Sequence, residues 1–537
     1  MRLASSSGVS AGLNPAEAAT FPDGAELRRW TSRRTRRHRR GMWALVGDIY
    51  SVLLTLAVIG TILAPYLRPL VTARPSSPEG AGAAAGLETF SLDPGWLVLA
   101  LTMLLLALGL GPLGRLGPLF LRPHEAAWWL PMPGDRSLLL VPVARLEYLI
   151  AATAGAVLGV LPALAAGGGW VAAVAWPALL AAGVSLVLSE LIKAQVHDHG
   201  VASLRRLLIL SGIVACPVGT TILPFPHSVL GNAVVAALAV GLVVTTVLRW
   251  RQARLCLGQV HDAALLDVVA RSFGAHVSLL SLDTRAMGRL LSPAPSRPEG
   301  DAPLRLARFA SSLPGPLRVI VCVAQADWIL MRRQPRRLLQ LGAGLTVAVM
   351  PLMTASAGGP LRAFAYLGGG WIATLAVAEP ARQAWFDEGP DASWPAPPWV
   401  VRVGHLLVPA ALMSVWSLLS LAPVMAVLGA AAAWEELGVV AALALLSGWA
   451  WAGAALRSGY RRMPDFAAGL VNSPVGSLPP GLVQMLTEGP DAVLVGALAT
   501  ALVASAIAVP TTTVLGIQAA AGAAVILWGI RTNRWSS

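Results

Sequence analysis

Residues 95–118 read GWLVLALTMLLLALGLGPLGRLGP, an apolar run whose only charge, Arg115, stands near its far end. A bilayer core takes about 20 such residues in one helix, so this stretch reads as a membrane span. Runs of the same kind recur along the chain. Candidate spans lie at 43–66, 95–118, 145–167, 169–190, 205–223 and 229–249, and after a polar segment at 250–338 they resume at 339–357, 362–379, 404–429, 435–456, 491–510 and 511–530. The expected fold class is all-α: a polytopic membrane protein of about 12 transmembrane helices, six on each side of a cytoplasmic amphipathic connector. Pro360 and Pro510 fall between the two tightest pairs, where a proline is expected to end a helix.

Composition agrees. The 537 residues are 56% hydrophobic and only 12% charged, with a mean hydropathy of +0.67, whereas soluble domains carry about 25% charged residues. Cys216, Cys256 and Cys322 lie far apart, which removes a disulfide framework and a Cys-x-x-Cys metal site. All but one of the 40 basic residues are arginine, the exception being Lys193.

Those cations give an orientation. With the N-terminus inside, the segments on the cytoplasmic side hold 37 of the 40, and only Arg68, Arg74 and Arg362 fall outside. That is the positive-inside bias, and it predicts both termini in the cytoplasm of a bacterial cell membrane. Trp43, Trp96, Trp170, Trp250, Trp434 and Trp528 fall at span ends, where interfacial aromatics belong. The run RRWTSRRTRRHRR within residues 1–42 reads as a polybasic cytoplasmic tail held on anionic lipid, each cation near the surface contributing about 1 kcal/mol. It is too strongly followed by apolar sequence to be a cleavable signal, and it has no aromatic or fold signature of nucleic-acid binding.

A weak internal repeat has a period of 257. RPHEAAWWLPMP (122–133) follows the second span and EPARQAWFDEGP (379–390) follows the eighth. Pro123, Ala127 and Trp128 match Pro380, Ala384 and Trp385, and aromatic Trp129 matches aromatic Phe386. VPVARLEYLI (141–150) then aligns with WVVRVGHLLV (399–408). Six spans is an even number, so the halves share one orientation and form a parallel repeat. Pro123 suits a first helical position and Glu125 a first turn, while Pro131 and Pro133 stop the element after about two turns. A short cytoplasmic helix displaying Trp128 and Trp129 is expected, serving either as a partner anchor or as an interfacial helix in the headgroups.

This segment, Glu125 followed by WWLPMPGDR, resembles the coupling-helix loop of ATP-binding-cassette exporter permeases with six spans per half, the type V kind, including actinobacterial members. Glu125, Leu130, Pro131 and Arg136 are the matching positions, and RRQPRRLLQ (332–340) resembles the entry to a permease half. The resemblance implies two permease units in one chain, docking on a separate ATP-binding subunit. Glu125, Trp128, Trp129, Leu130, Pro131 and Arg136 would dock in the first half, with Trp385 in the second. There Arg382 stands where Glu125 stands in the first half, so the second element departs from the pattern. The ATPase must be another chain, because no G-x-x-x-x-G-K-[ST] is present and Lys193 sits in LSELIKAQ without a neighbouring glycine.

Other signals are weaker. Asp48, Glu147, Glu190, His405, Glu435 and Glu436 all lie within about two turns of a span end, where they can snorkel, so no mid-depth carboxylate favours a secondary transporter. His197-Asp198-His199 reads as a solvated turn rather than a metal site. Gly8-Val9-Ser10-Ala11-Gly12 fits a nucleophile elbow only as letters, in a Ser/Gly/Ala tail. Glu79, Glu88 and Asp93 are too scattered for a lipid-modifying enzyme. No cofactor, metal or catalytic residue is expected. Within the connector, 252–291 predicts an amphipathic helix or a pair, 292–303 a link, and 319–331 an interfacial helix. The alternative to a permease is a non-transporting membrane scaffold whose aromatic loops bind another cytoplasmic protein.

Overall fold

The computed structural model describes residues 24–34, 50, 54, 93–119, 121–131, 136–167, 169–197, 206–214, 225–280, 290, 310, 312–354, 357–387, 389–429, 434–461, 471–473, 476–478, 483–484 and 487–531. Helix α1 is Gly24–Arg34, and α2 is Pro94–Leu116, capped by Asp93, whose side chain accepts the Gly95 N–H. The short α3 (Pro123–Trp129) leads into α4 (Arg136–Ala165), α5 (Trp170–His197) and α6 (Val229–Cys256), and a 3-10 turn at Leu257–Gln259 joins α6 to α7 (Asp262–Leu280). Then come α8 (Gly315–Arg333), α9 (Pro335–Leu352), α10 (Gly359–Val377), α11 (Glu379–Phe386), the single turn α12 (Gly389–Ala392), α13 (Pro398–Gly429) and α14 (Trp434–Gly459). Strands β1 (Val471–Ser473) and β2 (Gly476–Leu478) pair antiparallel, Val471 opposite Leu478, before α15 (Pro490–Ala504) and α16 (Thr512–Arg531). The chain is a helical multi-pass membrane protein with one small hairpin, which the all-α expectation did not contain.

Seven of the described helices are long and apolar enough to cross a membrane: α2, α4, α5, α6, α13, α14 and α16. The pair α10 and α11, bent by 46°, makes an eighth if read as one span. The count of twelve is therefore not reached among the described residues, for identifiable reasons. Span 43–66 lies outside them apart from residues 50 and 54, and 205–223 is described only at 206–214. Helix α9 opens with Arg336 and Arg337, and α15 stops after 15 residues, where Ala506 turns the chain with φ 58°. Pro360 does not end a helix; it starts α10 from its first turn, where the missing N–H has no helical acceptor to lose. Several spans run past their hydropathy limits. Helix α4 begins at Arg136, its added turns carrying Leu139, Leu140, Val141 and Ala144 into a buried core, and α5 reaches His197 through the mixed stretch Leu191 to His197.

Helices α4 and α5, α5 and α6, α9 and α10, and α13 and α14 pack along their lengths. Close approach needs small residues, since lipid gives two apolar helices no hydrophobic reason to associate. Gly155 and Gly159 of α4 supply it: a Cβ would stand 2.5 Å from the Leu180 carbonyl oxygen at the first and 2.5 Å from Pro177 Cα at the second. The α2–α6 group meets the later helices through Leu97 and Ala100 of α2 against Met350 of α9. Further along, Leu104 and Ala107 group with Leu339, Ala343 and Val347. Helices α2 and α9 thus run antiparallel, so the end of α2 and the start of α9 share one end of the bundle.

Candidate partner-docking site

That end carries the residues singled out by sequence. Helix α3 is built as expected at its start: Pro123 opens it, and the Arg122 N–H donates to Glu125 Oε2 at 3.1 Å. Glu125 is therefore spent on its own helix end, an orphan donor being met by the third residue of the helix. The two tryptophans part company. Trp128 is 70% exposed, whereas Trp129 is 4% exposed, in a core with Leu119, Leu121, Ala126, Leu130, Leu140, Leu257 and Val260. The expectation that both are displayed is corrected: a seven-residue helix on a surface has one inward face, and Ala126, Trp129 and Leu130 occupy it. Pro131 is exposed at the exit.

One cation lies against this helix and a second ties the elements beside it. The Arg28 guanidinium of α1 lies 5.3 Å from the centroid of the Trp129 ring and donates to the Leu139 carbonyl at 3.1 Å. Burial lowers its pKa from the ordinary value, and Glu125 opposes that shift. Arg136 at the start of α4 pairs with Asp262 of α7 at 2.8 Å. Helix α7 covers the other side of α3 and leaves Leu266, Ala270, Phe273 and Val277 outward, at i, i+4, i+7 and i+11. The amphipathic helix or pair expected at 252–291 falls on the end of α6 and on α7, and 281–291 lies outside the described residues apart from residue 290.

The equivalent element, α11, is built differently. Ala381 and Ala384 are buried with Leu406, Leu456 and Tyr460, and Trp385 packs partly against the same cluster. Phe386, matched to buried Trp129 at the offset of 257, is 38% exposed. Arg382 pairs with Glu379 at 2.9 Å, and Glu379 also binds Arg337 of α9. The second element is folded onto α13 and α14, and the repeat's letters do not share burial.

A family model described as a family of unknown function, DUF6297, matches residues 89–469. The chain belongs to this family. The matched region runs from the approach to α2 through α14 and contains α3 and α11, while Arg28 and the last two helices lie outside it. No curated protein and no solved structure matches the chain.

Two polar clusters in this DUF6297 chain were not singled out from sequence. His405 of α13, thought able to snorkel, turns inward: Nδ1 meets Asp327 Oδ2 at 2.8 Å and Nε2 meets Asp391 Oδ1 at 3.3 Å. Tyr460 donates to Asp391 Oδ2 at 3.1 Å, and Arg402 lies 5.1 Å over the Tyr460 ring. Burial pushes the Asp327 carboxyl up, against the pull of His405. Asp327 sits on α8, so the 319–331 helix is tied to α13, with Val319 and Val323 against Val400 and Val401. In the second cluster Arg457 binds Asp491 at 2.6 Å and the Thr487 carbonyl at 3.1 Å, its guanidinium 3.6 Å over the Trp528 ring. An inward-facing His or Arg at a span end has no periodic signature. The available cue was the coincidence of an acidic residue at another helix start. Among the described residues no group of three or more His, Cys, Asp or Glu is arranged to hold a metal.

Proposed function

We propose that this chain is the membrane-spanning component of an ATP-driven exporter in the cell membrane, with its ATPase on a separate chain. The observation that carries the reading is α3. A short helix at the arginine-rich end of the bundle presents Trp128 outward while buried Trp129, under the Arg28 guanidinium, seats it on the core. Rigid aromatic anchors lose little entropy on binding and carry interface energy well. Two parallel six-span halves belong to the same reading. In support, a short helix leads into a closely packed long pair twice, α3 into α4 and α5, and α11 into α13 and α14. The cytoplasmic assignment of that end rests on the distribution of arginines.

The test is purification of the tagged chain from its native membrane in mild detergent, with identification of co-purifying proteins and assay of magnesium-dependent ATP hydrolysis. A stoichiometric partner containing a phosphate-binding loop, lost with Trp128→Ala, is the expected result. Unchanged association of that variant removes the docking role. A second reading, a membrane scaffold for some other cytoplasmic protein, is favoured by one feature: Trp385, matched to Trp128, is partly packed into the core, so the two elements do not present the same tryptophan. Purification without any ATPase, under conditions that keep a known transporter assembled, supports the scaffold.

A further inference from the structure

Three arginines that the docking reading does not use meet where the two groups of helices join. Helices α2 and α9 run antiparallel, with Leu104 and Ala107 against Leu339, Ala343 and Val347. That packing brings Arg115, at the end of α2, beside Arg336, at the start of α9. Helix α7 closes over the same point. A Cβ on Gly117, just past α2, would stand 2.6 Å from Val268 Cγ2, and Arg271 Nη1 donates to the Arg115 carbonyl at 3.3 Å. One carboxylate answers the three cations: half-exposed Asp267 binds Arg271 across one turn of α7. The charges that reach Arg115 are those of Arg271 and Arg336, both of its own sign. Arg115 and Arg336 are partly exposed, and neither has a carboxylate partner among the described residues. Arg332 and Arg333 are exposed in the last turn of α8, with only Gln334 between them and α9, and they strengthen the same field.

Helix lengths set the depth of this cluster. The 28 residues of α6 rise about 42 Å at 1.5 Å each, the thickness of a bilayer with its headgroups. Only the turn Leu257–Gln259 separates its end from α7, so α7 starts at headgroup level. The outer face of α7 agrees, because the helix that carries Arg271 also leaves Leu266 and Phe273 exposed. Apolar side chains turned outward beside cations suit the boundary between headgroups and acyl chains. Like charges brought together by packing repel, and an anion among them reverses the sign of that interaction.

We infer that Arg115, Arg271 and Arg336 form a site for the phosphate headgroup of one anionic phospholipid, at the seam of the two helix groups and in the leaflet at the arginine-rich end. Arginine suits this group because its planar fork meets two phosphate oxygens at once. A basic pocket between helices at a membrane surface is the setting in which such headgroups are held. The charge balance selects among lipids. A zwitterionic headgroup carries its own cation into the cluster and relieves little of the repulsion, so a lipid with net negative charge is preferred.

The test uses the full chain in mild detergent, titrated with phosphatidylglycerol, phosphatidylcholine or inorganic phosphate and read by non-denaturing mass spectrometry and apparent melting temperature. The parent should retain phosphatidylglycerol in preference to phosphatidylcholine. Arg115→Gln or Arg336→Gln should weaken that binding about fivefold, and the double variant about 30-fold. Arg254→Gln, exposed at the end of α6, should stay within about twofold, since a solvated charge away from the site is screened. Without added lipid the double variant should melt at or above the parent, because a repulsion is relieved. A lower melting temperature there means that the arginines hold the fold together, and it overturns the site. Equal retention of the two lipids, or a double variant that binds phosphatidylglycerol as the parent does, overturns it as well. Stabilisation by inorganic phosphate equal to that by phosphatidylglycerol assigns the arginines to a free anion and overturns the lipid. No ATPase enters the measurement, so the result stands or falls apart from the docking reading.

Discussion

Adjacent tryptophans on α3 should respond to alanine in opposite ways. Trp129 is 4% exposed and fills a core bounded by Leu119, Leu121, Leu130, Leu140 and Leu257. Removing a buried indole costs about 3–5 kcal/mol through lost transfer energy and the cavity left behind. The Arg28 guanidinium 5.3 Å above the ring adds about 0.5–1 kcal/mol. Trp128, 70% exposed, should change stability by no more than about 0.5 kcal/mol. Every 1.4 kcal/mol is a factor of ten in an opening equilibrium, so Trp129→Ala should lower amide-exchange protection across α3 and the first turns of α4 by about two and a half to four orders of magnitude. Trp128→Ala should leave it within about threefold. Hydrogen exchange read by mass spectrometry on the detergent-purified chain resolves both. Equal protection in the two variants would refute the assignment of inward and outward faces. Under the docking proposal, the single variant Trp128→Ala is then the proper test of association, because Trp129→Ala removes the platform itself.

Three further outcomes follow from particular contacts. His405→Ala leaves the buried Asp327 carboxylate without its partner at 2.8 Å and should cost about 3–5 kcal/mol; adding Asp327→Ala should recover part of the loss in melting temperature, and no recovery would mean the pair is not coupled. The half-exposed Arg136–Asp262 pair at 2.8 Å should give only about 0.2–1 kcal/mol of coupling in a double-mutant cycle, and a larger value would show it to be shielded from solvent. Gly159→Ala forces a Cβ to within 2.5 Å of Pro177 Cα and should destabilise by about 1–3 kcal/mol. Gly109→Ala meets nothing within 4 Å and should be neutral or slightly stabilising; matching melting curves for the two would contradict the close packing of α4 on α5.

Hydropathy made the long helices legible because a span must satisfy every backbone group within itself, which forces one continuous apolar run. That is why α2, α4, α5, α6, α13, α14 and α16 fall on expected spans. Their ends were less legible. Helix α4 gains Arg136 to Ala144, whose Leu139, Leu140, Val141 and Ala144 are held by a core with α3 and the end of α6 rather than by the bilayer run itself. The first short helix was legible through capping chemistry, Pro123 with Glu125 marking its start by the orphan donors of a first turn, whereas α11 was legible only as its counterpart at an offset of 257. The expected stop at Pro360 failed because proline acts at both ends of a helix, and residue order alone does not say which.

What local reading could not supply is which face of a short helix turns inward. Over seven residues a helix makes two turns, and WW places two aromatics about 100° apart, so either can be the anchor. The choice is made by surroundings distant in sequence: Arg28, 101 residues before Trp129, and Leu257 and Val260 well after it. The same holds for His405, whose partners Asp327 and Asp391 lie 78 and 14 residues away. It holds again for α11, where Glu379 is claimed by Arg337 and its own neighbour Arg382. At the position of Glu125, α11 has Arg382, which pairs with Glu379 at 2.9 Å, while Ala381 and Ala384 pack on Leu406 and Leu456. A repeat can therefore keep its aromatic letters while the burial behind them changes: Trp129 is buried and Phe386 at the matching position is exposed.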